Sequence, residues 1–206
     1  MKRTFSFFII FLGFVLSAPT MAAKWEEGVH YSVHSNPMKS LDETVVEWFW
    51  IGSSHCESLE PIIGDWRKNQ KPDDADFLQI PASFNKTWMK HAKVVYVLDA
   101  AGALKKQEHR QILYKTVDKN SSYYDKGMEE LAPEFGTSVK ELRKAGSSKK
   151  LKKMVNDNME ISRHYQGKID GVPFIVVEGK YMIDNENVQQ EKMPELINHL
   201  LSLDES

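Results

Sequence analysis

Residues 43–51 are dense in Val, Trp, Phe and Ile, the pattern of a buried strand. Gly52 ends that run. Leu59, Ile62, Ile63 and Trp66 then recur at the spacing of one helical face, so a helix lying on a core is predicted after Gly52. Ser54 followed by Glu57 predicts a capping box at its start. Residues 69–75, with Pro72, read as a polar turn, and 76–81 as a second core strand. Upstream, 25–35 reads as an irregular arm ending in a short strand near 30–33, broken by Asn36-Pro37. From about 87 to 167 helical signals dominate, punctuated by Gly102, Gly127, Gly136 and Gly146. Residues 94–97 have strand propensity, but Trp88, Ala92, Val95 and Asp99 keep a helical period, and a helix is predicted there. The longest helix is predicted over 149–165, with Leu151, Val155, Met159, Ser162 and Tyr165 close to one face. Strand signals return after Gly167. An apolar run over 173–177, a Glu178-Gly179 turn and a partner strand over 180–183 predict a hairpin. A last helix starts near Met193, with Pro194 in its first turn, and buries Leu196, Ile197, Leu200 and Leu201. Strand, helix, strand, helical block, hairpin, helix describes an α/β chain with a mixed sheet and a helical insert.

The first 23 residues change the picture of where this chain works. Lys2 and Arg3 precede an apolar run from Phe5 to Leu16, and the small residues Ser17, Ala18, Ala22 and Ala23 follow. That is the pattern of a secretory signal peptide, with cleavage expected near Ala22 or Ala23, and the run is short for a bilayer span. Removal of residues 1–23 takes two of the 27 basic residues and none of the 29 acidic ones, leaving a net charge of −4 with His neutral. Such a charge gives no general attraction to nucleic acid. At 206 residues, with 41% hydrophobic and 27% charged residues, the chain has the composition of a globular protein with a sizeable core.

Candidate chemistry centres on Ser53-Ser54-His55-Cys56, between the apolar run and the helix, where Cys56 is the only cysteine. Export compartments favour disulfides, yet one cysteine forms no internal bridge. In thiol–disulfide exchange a thiolate attacks a disulfide and a second thiol resolves the mixed intermediate. The attacking thiol is best placed at a helix N-terminus, where unpaired N–H groups and the helix dipole stabilise the anion. Here the first thiol position of such a tetrad is Ser53. Ser53 and Ser54 also have a plain reading as helix caps, and Cys56 as a small buried apolar residue. His55 either favours a neighbouring thiolate when cationic or points to solvent. A hydrolase reading of Gly52-Ser53-Ser54-His55 is poor, because Cys56 stands where a nucleophile elbow has its second glycine. The seven histidines are scattered with no metal-ligand spacing to Cys56, so no metal site and no cofactor are expected. Lys149, Lys150, Lys152 and Lys153 read as a solvated helix face. Asn85-Lys86-Thr87 and Asn120-Ser121-Ser122 fit a glycosylation pattern.

The segment from Val45 to Pro61, reading VVEWFWIGSSHCESLEP, resembles the active-site segment of the DsbA family of bacterial periplasmic thiol:disulfide interchange proteins. Two further stretches agree in order: Lys24 to Tyr31 resembles the start of the mature family chain, and Gly171-Val172-Pro173 with Val177 to Tyr181 resembles its cis-proline loop and hairpin. The likeness covers nearly the whole mature chain, the helical block mainly by layout. It implies a thioredoxin fold with an inserted all-helical domain: residues 24–86 and 167–206 forming the thioredoxin part, 87–166 the insertion, and 1–23 the signal peptide. It implies a cis Pro173 beside the tetrad, client strands pairing with backbone at Val172, and a buried acid at Glu47 beneath the site.

The departures from the family pattern set the functional expectation. The family shows Cys-Pro-His-Cys where this chain has Ser-Ser-His-Cys. Ser53 matches the attacking cysteine, and a hydroxyl neither ionises at neutral pH nor forms a disulfide. Ser54 replaces a rigid proline. Cys56 matches the inward-facing resolving cysteine, and nothing within the chain would release a bond it made. The expectation is a periplasmic relative, peripheral to the membrane at most, that has lost autonomous dithiol oxidation and keeps peptide binding or monothiol chemistry at Cys56. Its implied partners are unfolded or extended exported polypeptides, with a membrane redox partner or a small thiol as further possibilities. A redox enzyme using Cys56 with an external thiol, and a purely structural or interaction protein, remain as alternatives.

Overall fold

The computed structural model describes residues 24–116 and 128–203. The signal-peptide segment 1–23, Gly127 and the Asn120-Ser121-Ser122 triplet lie outside the described residues. Five strands form one mixed sheet: β1 (Tyr31–Val33), β2 (Thr44–Phe49), β3 (Asp76–Pro81), β4 (Phe174–Val177) and β5 (Tyr181–Ile183), in the order β1-β5-β4-β2-β3. β2 runs parallel to β3 and antiparallel to β4; β4 and β1 both run antiparallel to β5. The helices are α1 (Ser54–Asn69), α2 (Lys86–Ala100), α3 (Gln107–Thr116), α4 (Met128–Glu134), α5 (Val139–Gly146), α6 (Lys149–His164) and α7 (Met193–Leu201). The 94–97 stretch is helical, inside α2.

Side chains of β2 and β4 alternate between two cores, as the period of a strand requires. Val45, Ile175 and Val177 pack with Leu59, Ile63, Trp66, Leu196, Ile197 and Leu200, which places α1 and α7 on one face. Trp66 Nε1 donates to Asn198 Oδ1 at 2.8 Å and ties those helices together. Val46, Trp48, Phe174 and Val176 pack on the other face with Ile161 and Tyr165 of the α6 end. There Trp48 Nε1 donates to Ser162 Oγ at 2.9 Å. A third cluster joins Phe49, Ile51 and Cys56 to Val95, Leu98, Leu104, Leu113, Phe135 and Leu142 of the helical block. The head of α1 is thus clasped by the helices that lie between β3 and β4 in sequence.

Two local expectations are corrected. The cap of α1 is Ser53, with Ser54 already helical, so no Ser54–Glu57 capping box forms. Capping from position 53 puts Cys56, a residue with no carboxylate to return the bond, where the box needs Glu. In α6, Met159 is exposed and Asn158 is buried. At about 100° per residue the buried stripe runs through Leu151, Asn158, Ser162 and Tyr165, and Met159 falls at its edge. Hydropathy hid this, because the inward residue is polar.

The β4–β5 hairpin closes through a tight turn in which Lys180 N–H donates to the Val177 carbonyl at 3.0 Å. Its central residues Glu178 and Gly179 have φ of 54° and 61°. Both lie in the left-handed region that suits the twist of a two-residue turn. Gly179 is needed for space as well, since a Cβ there would lie 2.3 Å from the Met38 carbonyl oxygen. The loop entering β4 carries the cis peptide bond between Val172 and Pro173.

Candidate functional site at the head of helix 1

The tetrad follows β2 across Trp50-Ile51-Gly52 and opens α1. Ser53 keeps an extended backbone (φ −95°, ψ 120°), and its Oγ accepts from Cys56 N–H at 3.3 Å. A helix head offers unpaired N–H groups to an anion. Here one of them is taken by a neutral hydroxyl in the place where the tetrad's outer thiol would sit. Ser53 is half-buried, while Ser54 and His55 are exposed. The His55 carbonyl accepts from Gln190 Nε2 at 2.9 Å, which anchors the tetrad to the turn before α7.

Cys56 points inward and is 0% exposed. Burial pushes its thiol up to about 12, and the nearby Glu47 carboxyl adds to the rise. The Ser53 hydroxyl and the Trp50 backbone pull the other way. The sulfur therefore stays protonated at neutral pH, the form that does not attack disulfides.

Beneath it lies a polar cluster that the sequence analysis foresaw only at Glu47. Glu47 on β2 and Glu60 on α1 are both buried, and Gln79 Nε2 donates to Glu47 Oε2 at 2.8 Å and to Glu60 Oε2 at 3.1 Å. Gln107 Nε2 donates to Glu60 Oε1 at 3.1 Å, Tyr114 OH to Glu60 Oε2 at 3.4 Å, and Arg110 to the Gln79 side-chain oxygen. Burial, then the facing Glu60 carboxylate, push the Glu47 carboxyl up to about 8; the Gln79 hydrogen bond, Arg110 and Arg67 oppose them. Glu47 is thus protonated at neutral pH. Its Oε1 is buried with no hydrogen-bond partner among the described residues. One sequence signal could have found Glu60: it sits four residues after Cys56 and three before Ile63, a charge on the apolar stripe.

His55, Val172 and Pro173 share the wall of one groove of about 910 Å³, which also runs past Phe174, Asn185 and Gln190. Ser53, Ser54 and Cys56 do not line it. Val172 instead links the groove to the thiol from behind, packing against the cluster that holds Cys56. Asn185 Nδ2 donates to the Pro173 carbonyl, a contact with no sequence signal. The fold brings Ser53, Cys56 and Glu47 together at the head of α1, and sets His55, Val172 and Pro173 along one groove.

The chain matches the DSBA-like thioredoxin domain over residues 72–193, a span that begins after the tetrad. It is 28% identical over 188 residues to the thiol:disulfide interchange protein DsbA of Burkholderia cepacia, covering 88% of this chain and 86% of that one. It is 32% identical over 142 residues to DsbA of Azotobacter vinelandii, covering 68% and 64%. Among solved structures, Pseudomonas aeruginosa DsbA superposes with a TM-score of 0.74 at 25% identity, over 88% of this chain and 95% of that one. A Proteus mirabilis DsbA, with a cysteine replaced by serine and the peptide PWATCDS bound non-covalently, gives 0.72 at 21%, over 87% and 99%. A match spanning more than half the residues, on a mixed sheet flanked by helices, makes this chain a member of the DsbA-like family of thiol:disulfide interchange proteins, with the thioredoxin fold.

Proposed function

We propose that this protein is a client-binding member of its family in which autonomous dithiol oxidation is lost. One observation carries the reading: an oxygen caps the helix at position 53, while the only thiol is buried behind it and held protonated. A disulfide exchange cycle within one chain needs an attacking thiolate and a resolving thiol. Here the outer position has no sulfur and the inner sulfur has no access. The groove along Val172 and Pro173 remains. The β4 ladder to β2 begins at Phe174, so Val172 lies beyond the last paired residue, where an extended client can add as a strand. The Proteus mirabilis DsbA variant, with a cysteine replaced by serine and a peptide bound non-covalently, supports the idea that such a protein can hold a peptide without a covalent link. In this reading Ser53, Ser54 and His55 form the face presented to the client, Cys56 and Glu47 support it from below, and residues 87–166 are an inserted helical domain. The clients are extended exported polypeptides, met in the periplasm after loss of residues 1–23; the cationic start and apolar run of that segment favour this.

The test is a direct assay of the purified protein beside a two-cysteine relative. Oxidation of a reduced model protein and reduction of insulin are both expected at background. Binding of a fluorescein-labelled extended peptide is expected to persist and to weaken about tenfold in Val172→Asp, the loss of one well-packed contact. Turnover matching the two-cysteine relative, without added thiol, would overturn the loss of oxidation. Absence of peptide binding would overturn the client groove.

A further inference from the structure

On the Gly52 side of the tetrad, away from the cis-proline groove, lies a second recess lined by Trp50, Gly52, Asn85, Lys86, Thr87, Trp88 and His91. Its wall is aromatic. Trp50 and Trp88 stack with ring centroids 4.4 Å apart at 14°, and Phe84 leans on Trp88 at 5.5 Å. Gly52 makes this possible: a Cβ there would lie 2.4 Å from the Trp50 ring, so the indole folds back directly over the backbone that leads into Ser53. The apolar surface continues outward, with Phe84 52% and Met89 58% exposed.

The floor carries a polar group with unused capacity. His91 is only 6% exposed, and its Nδ1 lies 2.9 Å from Trp50 Nε1. An indole nitrogen only donates, so Nδ1 accepts and the ring proton of a neutral imidazole sits on Nε2. Burial, with Lys90 nearby, holds His91 below its usual range, which keeps it neutral at pH 7. No hydrogen bond to Nε2 is found among the described residues. His91 lines the recess, so this N–H is a donor that a carbonyl of a bound segment can meet. A stacked aromatic wall beside one N–H donor is complementary to a segment that offers a flat or bulky apolar side chain and a backbone carbonyl.

We propose that the Trp50–Trp88–Phe84–His91 recess is a second client subsite, taking an aromatic or large apolar side chain of the extended polypeptide on the Gly52 side of Ser53, with His91 Nε2–H donating to a carbonyl of the same segment. This rests on the client-binding reading above and adds a side-chain preference to it. His55 lines the cis-proline groove and Gly52 lines this recess, three positions apart in the chain, so an extended polypeptide paired at Val172 is taken to reach both. The apolar surface at Phe84 and Met89 then belongs to the client footprint.

Fluorescein-labelled nine-residue peptides with a central serine and one phenylalanine placed two, three or four residues to either side test this by fluorescence anisotropy. The wild-type protein is expected to prefer phenylalanine on one side only, by about tenfold over the alanine peptide, the scale of one good aromatic contact with its burial. That preference should collapse to within about twofold in Trp88→Ala and shrink in Phe84→Ser, a change at an exposed position that leaves the fold intact, while the alanine peptide binds all three proteins alike. His91→Phe should lower affinity for every peptide that reaches the recess and spare a short peptide that ends at the central serine. Equal binding of phenylalanine and alanine peptides by the wild type overturns the subsite but leaves the groove standing. A preference unchanged in both Trp88→Ala and Phe84→Ser does the same. Failure of every peptide to bind overturns the client-binding reading, and the subsite with it.

Discussion

Glu47 and Glu60 face one another across Gln79 in a space sealed by α1, β2, β3 and α3. Burial, then the facing Glu60, disfavour the charged form of Glu47. The consequence is a stability that depends on pH through Glu47. In the folded state its carboxyl titrates near 8, far above an unfolded glutamate. Between about pH 4.5 and pH 8 the unfolded chain has lost that proton while the folded chain keeps it, so stability falls as pH rises across this window and levels off above 8. Comparing urea midpoints at pH 5 and pH 8 should show a loss on the order of 3 kcal/mol. In Glu47→Gln the slope in this window should largely vanish, because a neutral amide replaces the group that titrates. A wild-type slope kept in Glu47→Gln would place the titration elsewhere.

Helices and strands here are set by caps and turns whose chemistry is readable one by one. Ser53 caps α1, Asn85 caps α2 by accepting from the Thr87 and Trp88 N–H groups, and Ser138 with Glu141 makes a full capping box on α5. The β4–β5 turn is the least forgiving of these junctions. Gly179 combines a φ of 61° with a space into which a Cβ would press on Met38. Its carbonyl also accepts from Tyr165 OH at 2.8 Å and from Met38 N–H at 3.0 Å. Gly179→Ala should therefore cost about 2 kcal/mol or more, well beyond the conformational cost alone, and lower the thermal midpoint by several degrees. A midpoint within a degree of the wild type would show that the loop carrying Met38 yields freely.

At the scale of the whole molecule, a groove along Val172 and Pro173, a helix head capped by Ser53 and a buried acid make up the candidate site. If only the nucleophile is missing, Ser53→Cys should restore it. A thiol there occupies the helix N-terminus, where its anion is stabilised, and lies one turn from Cys56. Adding Ser54→Pro fixes the backbone of the first turn as the family pattern does. The double variant should reduce insulin at a rate at least about a hundredfold above the wild-type background. Titration of free thiols should show an internal disulfide after mild oxidation, which a one-thiol chain does not form. Background activity despite that disulfide would mean that the environment below the tetrad, above all the raised Glu47 and the orphaned Oε1, has drifted from what exchange requires.

The order of elements, the tetrad at a helix head and the missing sulfur were all legible in the sequence, since each depends on local spacing and residue chemistry. Glu47 was found only through a motif, because the strand period places it inward without saying what it meets. The tertiary structure alone decided what meets what. It set Glu60, Gln79 and Arg110 against Glu47, put Gln107 on Glu60, placed Gln190 on the His55 carbonyl, and brought His91 to Trp50 across 41 residues of chain. Hydrophobic period reports which face of one element turns inward; the identity of the facing side chains is fixed only when distant elements pack.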